Sequence, residues 1–137
     1  CEHAWGVQPR VSAANWLHFW SPAASGIVMD CLYDAGTPHH YTFIHTRGED
    51  HYLYSPARFS FDPEDPRVAW SVSSPDLQLV AKPLHTHRAV KKIPPVLPYI
   101  SIDYHESLVA LEGAAVIAGE KTAIEGIGKY DFNFNKW

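Results

Sequence analysis

Charge is scarce in this 137-residue chain: Asp, Glu, Lys and Arg make up 19% of it, and the net charge is −4. The most basic stretch is Arg88 with Lys91 and Lys92, so a nucleic-acid partner has no electrostatic footprint. No apolar run approaches the ~18 residues of a membrane-spanning helix. No charged segment leads into the apolar core of a signal peptide. The chain opens on Cys1 and its single methionine is Met29, so it is expected to be a piece of a longer or processed chain. Its two cysteines, Cys1 and Cys31, suffice for one disulfide but not for a disulfide framework. Nucleophile elbow, phosphate-binding loop, dinucleotide fingerprint and zinc-ribbon spacing are all missing, and with them the usual signatures of acyl transfer and nucleotide chemistry. No stretch holds a 3.6-residue period for three turns.

Aromatic side chains are abundant, at 13% with five Trp and seven Tyr, and apolar residues reach 46%. That composition suits a β protein with an aromatic-lined interior. Residues 12–20 read as a strand with Trp16, His18 and Trp20 on one face and Leu17 and Phe19 on the other. Residues 25–34 and 39–46 read as the next two strands, joined by the Ala35-Gly36-Thr37-Pro38 turn. A short strand follows around His51–Tyr54. Residues 56–66 read as a surface loop with one extended piece. Val68–Val72 and Leu77–Lys82 form a hairpin about Pro75-Asp76. Residues 83–98, with four prolines, read as irregular. Tyr99–Tyr104, Leu108–Ile117 and Ala123–Phe134 close the series. Ser107–Ala118 has some helical propensity, against which Gly113 and the valines weigh. Roughly eight to ten short strands at ~8–12-residue spacing predict one all-β domain, an antiparallel barrel or sandwich.

Four groupings have the residue types for chemistry. In an extended Cys1–Val7, His3 and Trp5 share a face, an acid/base group beside an aromatic wall or two ordinary wall residues. Asp30 interrupts an apolar run, and Asp34 follows Tyr33. A carboxyl among apolar groups has its pKa raised and serves as a general acid near neutral pH. The plainer alternatives are an outward-facing strand position for Asp30 and a turn residue for Asp34. His85 and His87 sit ~6.6–6.8 Å apart on one strand face, a spacing that supplies two metal ligands. The glutamate that completes such motifs is absent, since Ala89, Val90, Lys91 and Lys92 follow. His39, His40, His45 and His51 bracket one hairpin, and the adjacent pair faces opposite ways.

Taken together, the two ends resemble the lipocalin-like family of bacterial carotenoid 1,2-hydratases (hydroxyneurosporene synthases), AttH-like proteins and some fungal cyclases and Diels–Alderases. Glu2-His3-Ala4-Trp5-Gly6 is similar to the H-x-W-G entry of that family's second half. Asn15–Phe19 is similar to its Trp-rich strand and Leu32–Gly36 to its Asp/Ala-Gly turn. Tyr104–Gly113 resembles Y-W-E-G-x-V-x-V-x-G, with His105 and Ser107 departing from it. Gly126–Asp131 resembles the closing G-x-G-Y-x-E, with Lys129 and Asp131 departing. The resemblance implies a calycin-type barrel over residues 1–137, the C-terminal half of a two-barrel protein, with a second barrel as domain or subunit partner. It implies an apolar polyene-like ligand, no cofactor, and hydration or cyclisation. His3, Trp5, Tyr33 and Asp34 are then the candidate catalytic residues, and Trp16, Trp20 and Asp30 candidate ligand-lining residues. Two alternatives stand beside this reading. One is a non-catalytic carrier or packing domain, and the other a metal-dependent barrel using His85 and His87.

Overall fold

The computed structural model describes residues 11–33, 39–46, 48–62, 64–93 and 100–136. Nine strands run in chain order: β1 (Val11–Trp20), β2 (Ser25–Tyr33), β3 (His39–Thr46), β4 (Glu49–Leu53), β5 (Arg58–Ser60), β6 (Trp70–Ser74), β7 (Leu77–Ile93), β8 (Ile100–Ile117) and β9 (Glu120–Lys136). They form one antiparallel sheet in the order β4-β3-β2-β1-β9-β8-β7-β6-β5. Each strand pairs with its sequence neighbour, except that β1 pairs with β9 and the β4 and β5 edges are not hydrogen-bonded to each other. No helix occurs among the described residues, and none is long and apolar enough to cross a membrane.

The turns follow local chemistry. Between β1 and β2, the Ser21 hydroxyl donates to the Ala24 carbonyl at 2.8 Å and accepts from the Ala24 amide at 3.0 Å. Between β8 and β9, Ile117 pairs with Glu120 across Ala118 and Gly119, both at positive φ (52° and 84°). That is the two-residue turn whose twist matches a hairpin.

Two expectations are corrected. Residues 83–93 are not irregular; β7 runs through them, and its register with β8 shifts between Pro83 and His85. The shift leaves Leu84, next to Pro83, without a partner, and strands tolerate proline at such irregularities. Ile100–Ile117 is one unbroken strand rather than two, and residues 107–117 are extended, not helical.

The sheet curls into a half-barrel. Trp70 on β6 and Tyr130 on β9 lie three strand spacings apart, ~14 Å in a flat sheet, yet their ring centroids are 4.3 Å apart. The face they share is therefore concave. It carries the core: Leu17, Phe19, Val28, Ile44, Val72, Leu79, Val109, Leu111 and Ile124, each 3% exposed or less. The convex face carries the alternate residues, among them Trp16, His18 and Trp20.

Candidate functional site

The pairing register lines residues up across the concave face. His40, Asp30, Asn15, Phe132, His105 and Arg88 form one directly paired row over β3, β2, β1, β9, β8 and β7. The next row is Thr42, Val28, Leu17, Tyr130, Ser107 and Thr86; the one after is Ile44, Gly26, Phe19, Gly128, Val109 and Pro83. Polarity thus falls from one end of the half-barrel toward the other. The polar end is where β1 begins and β9 finishes.

Its centre is His105, which is fully buried. His105 Nε2 donates to Asp103 Oδ1 at 2.9 Å. Asp103 also accepts two bonds from the Arg88 guanidinium, Nε to Oδ1 at 3.1 Å and Nη2 to Oδ2 at 2.7 Å. This bidentate pairing holds the Asp103 carboxyl below its usual range. Burial pushes the His105 imidazole below its ordinary value. The hydrogen-bond network therefore assigns a neutral ring with its proton on Nε2 and a lone pair on Nδ1. That Nδ1 is buried and has no hydrogen-bond partner. An unmet buried acceptor costs about 1–3 kcal/mol.

A cluster of aromatic rings packs against the His105 imidazole. Phe61 stands edge-on to His105 at 5.7 Å and to Tyr130 at 5.0 Å, and Phe132 meets His105 at 5.4 Å. Phe59 stacks on Trp70 at 6.0 Å. Trp70 is 3% exposed, and its Nε1 also lacks a partner. The Tyr130 hydroxyl donates to Asn15 Oδ1 at 2.6 Å. Ser107 and Thr86 share a hydroxyl–hydroxyl bond of 3.0 Å.

Asp30 lies at the other end of the polar row, 3.3 Å from His40 Nδ1. It faces inward, in alternation with Val28, rather than outward. Burial raises its pKa, and His40 opposes the rise. Trp16 and Trp20 are on the convex face, because Leu17 and Phe19 take the inward positions of β1. The Trp16 and His18 rings stack there at 5.7 Å, and Trp20 is 50% exposed. Tyr33 ends β2, its backbone opposite Ser12. His3, Trp5 and Asp34 lie outside the described residues, as does Cys1; Cys31 is buried. His85 and His87 are exposed, with Thr86 inward between them. Among the described residues no group of three His, Cys, Asp or Glu is placed to hold a metal ion.

Arg88, Asp103 and His105 were not singled out as site residues from sequence. Their signal was Asp103-x-His105-x-Ser107 leading into Val109 and Leu111, a polar i, i+2, i+4 series on the face that turns apolar. A strand break expected between residues 104 and 108 hid it.

The titrations predict acid sensitivity with a definite sign. Below the ordinary histidine value of 6.5 the unfolded chain binds a proton that folded His105 resists. Stability is therefore expected to fall as pH drops through the window beneath 6.5, then level off. Asp103 adds a second loss below 3.8. Asp30, raised above 3.8, contributes the opposite way, losing stability as pH rises through its folded value. Urea midpoints at several pH values should show the first loss in the wild type and a smaller one in His105→Phe. An equal loss in both would remove His105 as its source.

No protein-family model matches this chain, and no curated protein or solved structure matches it.

Proposed function

We propose that the concave face binds one apolar, conjugated small molecule and turns it over without a cofactor, by positioning and proton transfer. The observation that carries this is the polar row bounding an aromatic box, with a carboxyl and an imidazole whose uncharged forms are both favoured by burial. Asp30 is raised and His105 lowered. A carboxyl held toward its protonated form can donate a proton, and an imidazole held neutral can accept one. Asp30 donates a proton at one end of the conjugated chain, and His105 Nδ1 accepts one at the other. The net proton change is zero, which is the balance of an isomerisation or cyclisation. Hydration adds H and OH to adjacent carbons and needs acid and base at one bond. Asp30 and His105 have β1 and β9 between them, so cyclisation or isomerisation fits this pair better than hydration. The rings of Trp70, Tyr130 and Phe132 supply the apolar wall and hold the chain in a reactive fold.

A conjugated tetraene fatty acid, fluorescent when shielded from water, tests the binding step. Saturable emission is expected at one probe per chain, with Kd of about 1–10 μM, equivalent to roughly 7–8 kcal/mol. Emission that rises linearly without saturation would exclude the site.

A second reading rests on the convex face. Trp20, Ile127 and Leu108 are 50%, 51% and 46% exposed there, beside the Trp16–His18 stack. Apolar patches of this kind mark packing surfaces, and a second β-barrel is the partner that the sequence resemblance implies. Sedimentation equilibrium separates the readings: a strict monomer whose Trp20→Lys variant is unchanged disfavours a self-packing face.

A further inference from the structure

Phe61 occupies the middle of the aromatic box, yet it belongs to no strand. It follows β5, which has three residues and forms an edge of the sheet. From there its ring reaches over the intervening strands to His105, Tyr130 and Phe132, on β8 and β9, at 5.7, 5.0 and 5.4 Å. It also stands edge-on to Trp70 at 6.4 Å. Among the described residues, the two unpartnered buried polar atoms of the concave face thus belong to rings that both pack against Phe61. His105 Nδ1 is an acceptor and Trp70 Nε1 a donor, and both are buried without a partner. Phe61 can satisfy neither. Each unmet group costs the fold free energy that a ligand of the right chemistry would return. A three-residue edge strand is also the element best able to lift, since it has few pairing bonds to lose. The loop behind it is held by its own turns, with the Asp62 carboxylate accepting from the Glu64 amide at 2.8 Å. Its anchor is the Thr86 hydroxyl, which donates to the Pro66 carbonyl at 3.4 Å. Lifting β5 and Phe61 therefore leaves an anchor further along the loop.

We infer that Phe61 is a built-in stand-in for the ligand, filling a site for an oxygenated conjugated ring whose hydroxyl donates to His105 Nδ1 and whose carbonyl oxygen accepts from Trp70 Nε1. This rests on the concave-face reading above and specifies the end of the ligand bound there. A plain hydrocarbon ring would fill the same space and leave both nitrogens unmet. A ring with a hydroxyl and a carbonyl on opposite sides completes both.

The test uses 4-hydroxyacetophenone, with toluene as the ring lacking both groups. Phe61→Ala opens a ring-sized space, as truncation in a packed core does. It is expected to bind 4-hydroxyacetophenone at least ~10-fold more tightly than the wild type does, by calorimetry. Adding His105→Phe or Trp70→Phe should each remove about 10-fold of that affinity, as loss of a buried hydrogen bond does. Toluene should gain from Phe61→Ala but be indifferent to the two further changes. Phe61→Leu, which keeps an apolar anchor, provides the same comparison if the alanine variant does not fold. Equal binding of both rings, or no binding by either Phe61 variant, overturns the inference. The tetraene probe keeps the two readings apart. Its saturable binding alongside failure of 4-hydroxyacetophenone sinks only the ring assignment. The reverse outcome sinks only the polyene reading.

Discussion

Tyr130→Ala is expected to lower the stability of this protein by about 4 kcal/mol, enough to lower Tm by more than ~10 °C in a chain of this size. Tyr130 is fully buried. Its ring meets Trp70 at 4.3 Å, Phe61 at 5.0 Å and Phe59 at 5.9 Å. It is the side chain around which the box closes, so truncation leaves a void bordered by rings too rigid to collapse into it. Its hydroxyl adds a separate contribution. Tyr130→Phe keeps the ring and strands Asn15 Oδ1, which predicts a loss of about 1 kcal/mol. The difference of about 3 kcal/mol between the variants measures the ring alone. Urea denaturation of both gives the comparison directly. An alanine variant losing no more than the phenylalanine one would mean the ring is not packed as described.

The second large effect is at the backbone. Gly113 lies inside β8 at φ 157°, and a Cβ there would run into the carbonyl oxygen of Gln78 on β7. The obstruction is main chain rather than a flexible side-chain tip, so relief requires the β7–β8 pairing to shift. Gly113→Ala is expected to cost about 3 kcal/mol. Gly119, in the β8–β9 turn at φ 84°, has nothing within 4 Å of the same virtual atom. Gly119→Ala meets only the conformational penalty of a left-handed residue, about 1 kcal/mol. Thermal unfolding of the pair should keep that order. Reversal would place the close approach elsewhere than at residue 113.

The strand series was legible because turn chemistry punctuates it. Ser21-Pro22, Gly48, Pro75-Asp76 and Gly119 each mark a reversal that the structure has, and alternation by itself puts Leu17 and Phe19 opposite Trp16 and Trp20. What alternation cannot supply is which face is concave. Both faces of β1 are apolar, so the tryptophans were equally eligible for the interior until the curl decided it. Pro83 misled for a different reason: a proline ends a regular strand, and nothing local announces that a bulge will absorb it. The site was less legible still. His105, Asp103 and Arg88 meet because β7 and β8 pair in register over residues 85–93, and that pairing was invisible while residues 83–98 read as irregular. Asp30 was recognisable as a carboxyl in an apolar run, but its inward orientation follows from sharing a face with Val28. His3, Trp5 and Asp34 lie outside the described residues and keep the standing the sequence gives them.

The hydrogen bond from Tyr130 to Asn15 spans 115 residues of chain. It joins β1 to β9, the pair in the middle of the sheet order and the first and last of the described strands. Ribosomes add ~5–20 residues per second, so β1 waits on the order of ten seconds for β9. Through that interval β2, β3 and β4 can zip onto one side of β1, while its other side presents unbonded backbone beside Leu17 and Phe19. The β5–β8 meander meanwhile has nothing to join. Nascent chains of this protein therefore pass through an interval in which a holdase on the open β1 edge would decide between folding and intermolecular strand pairing.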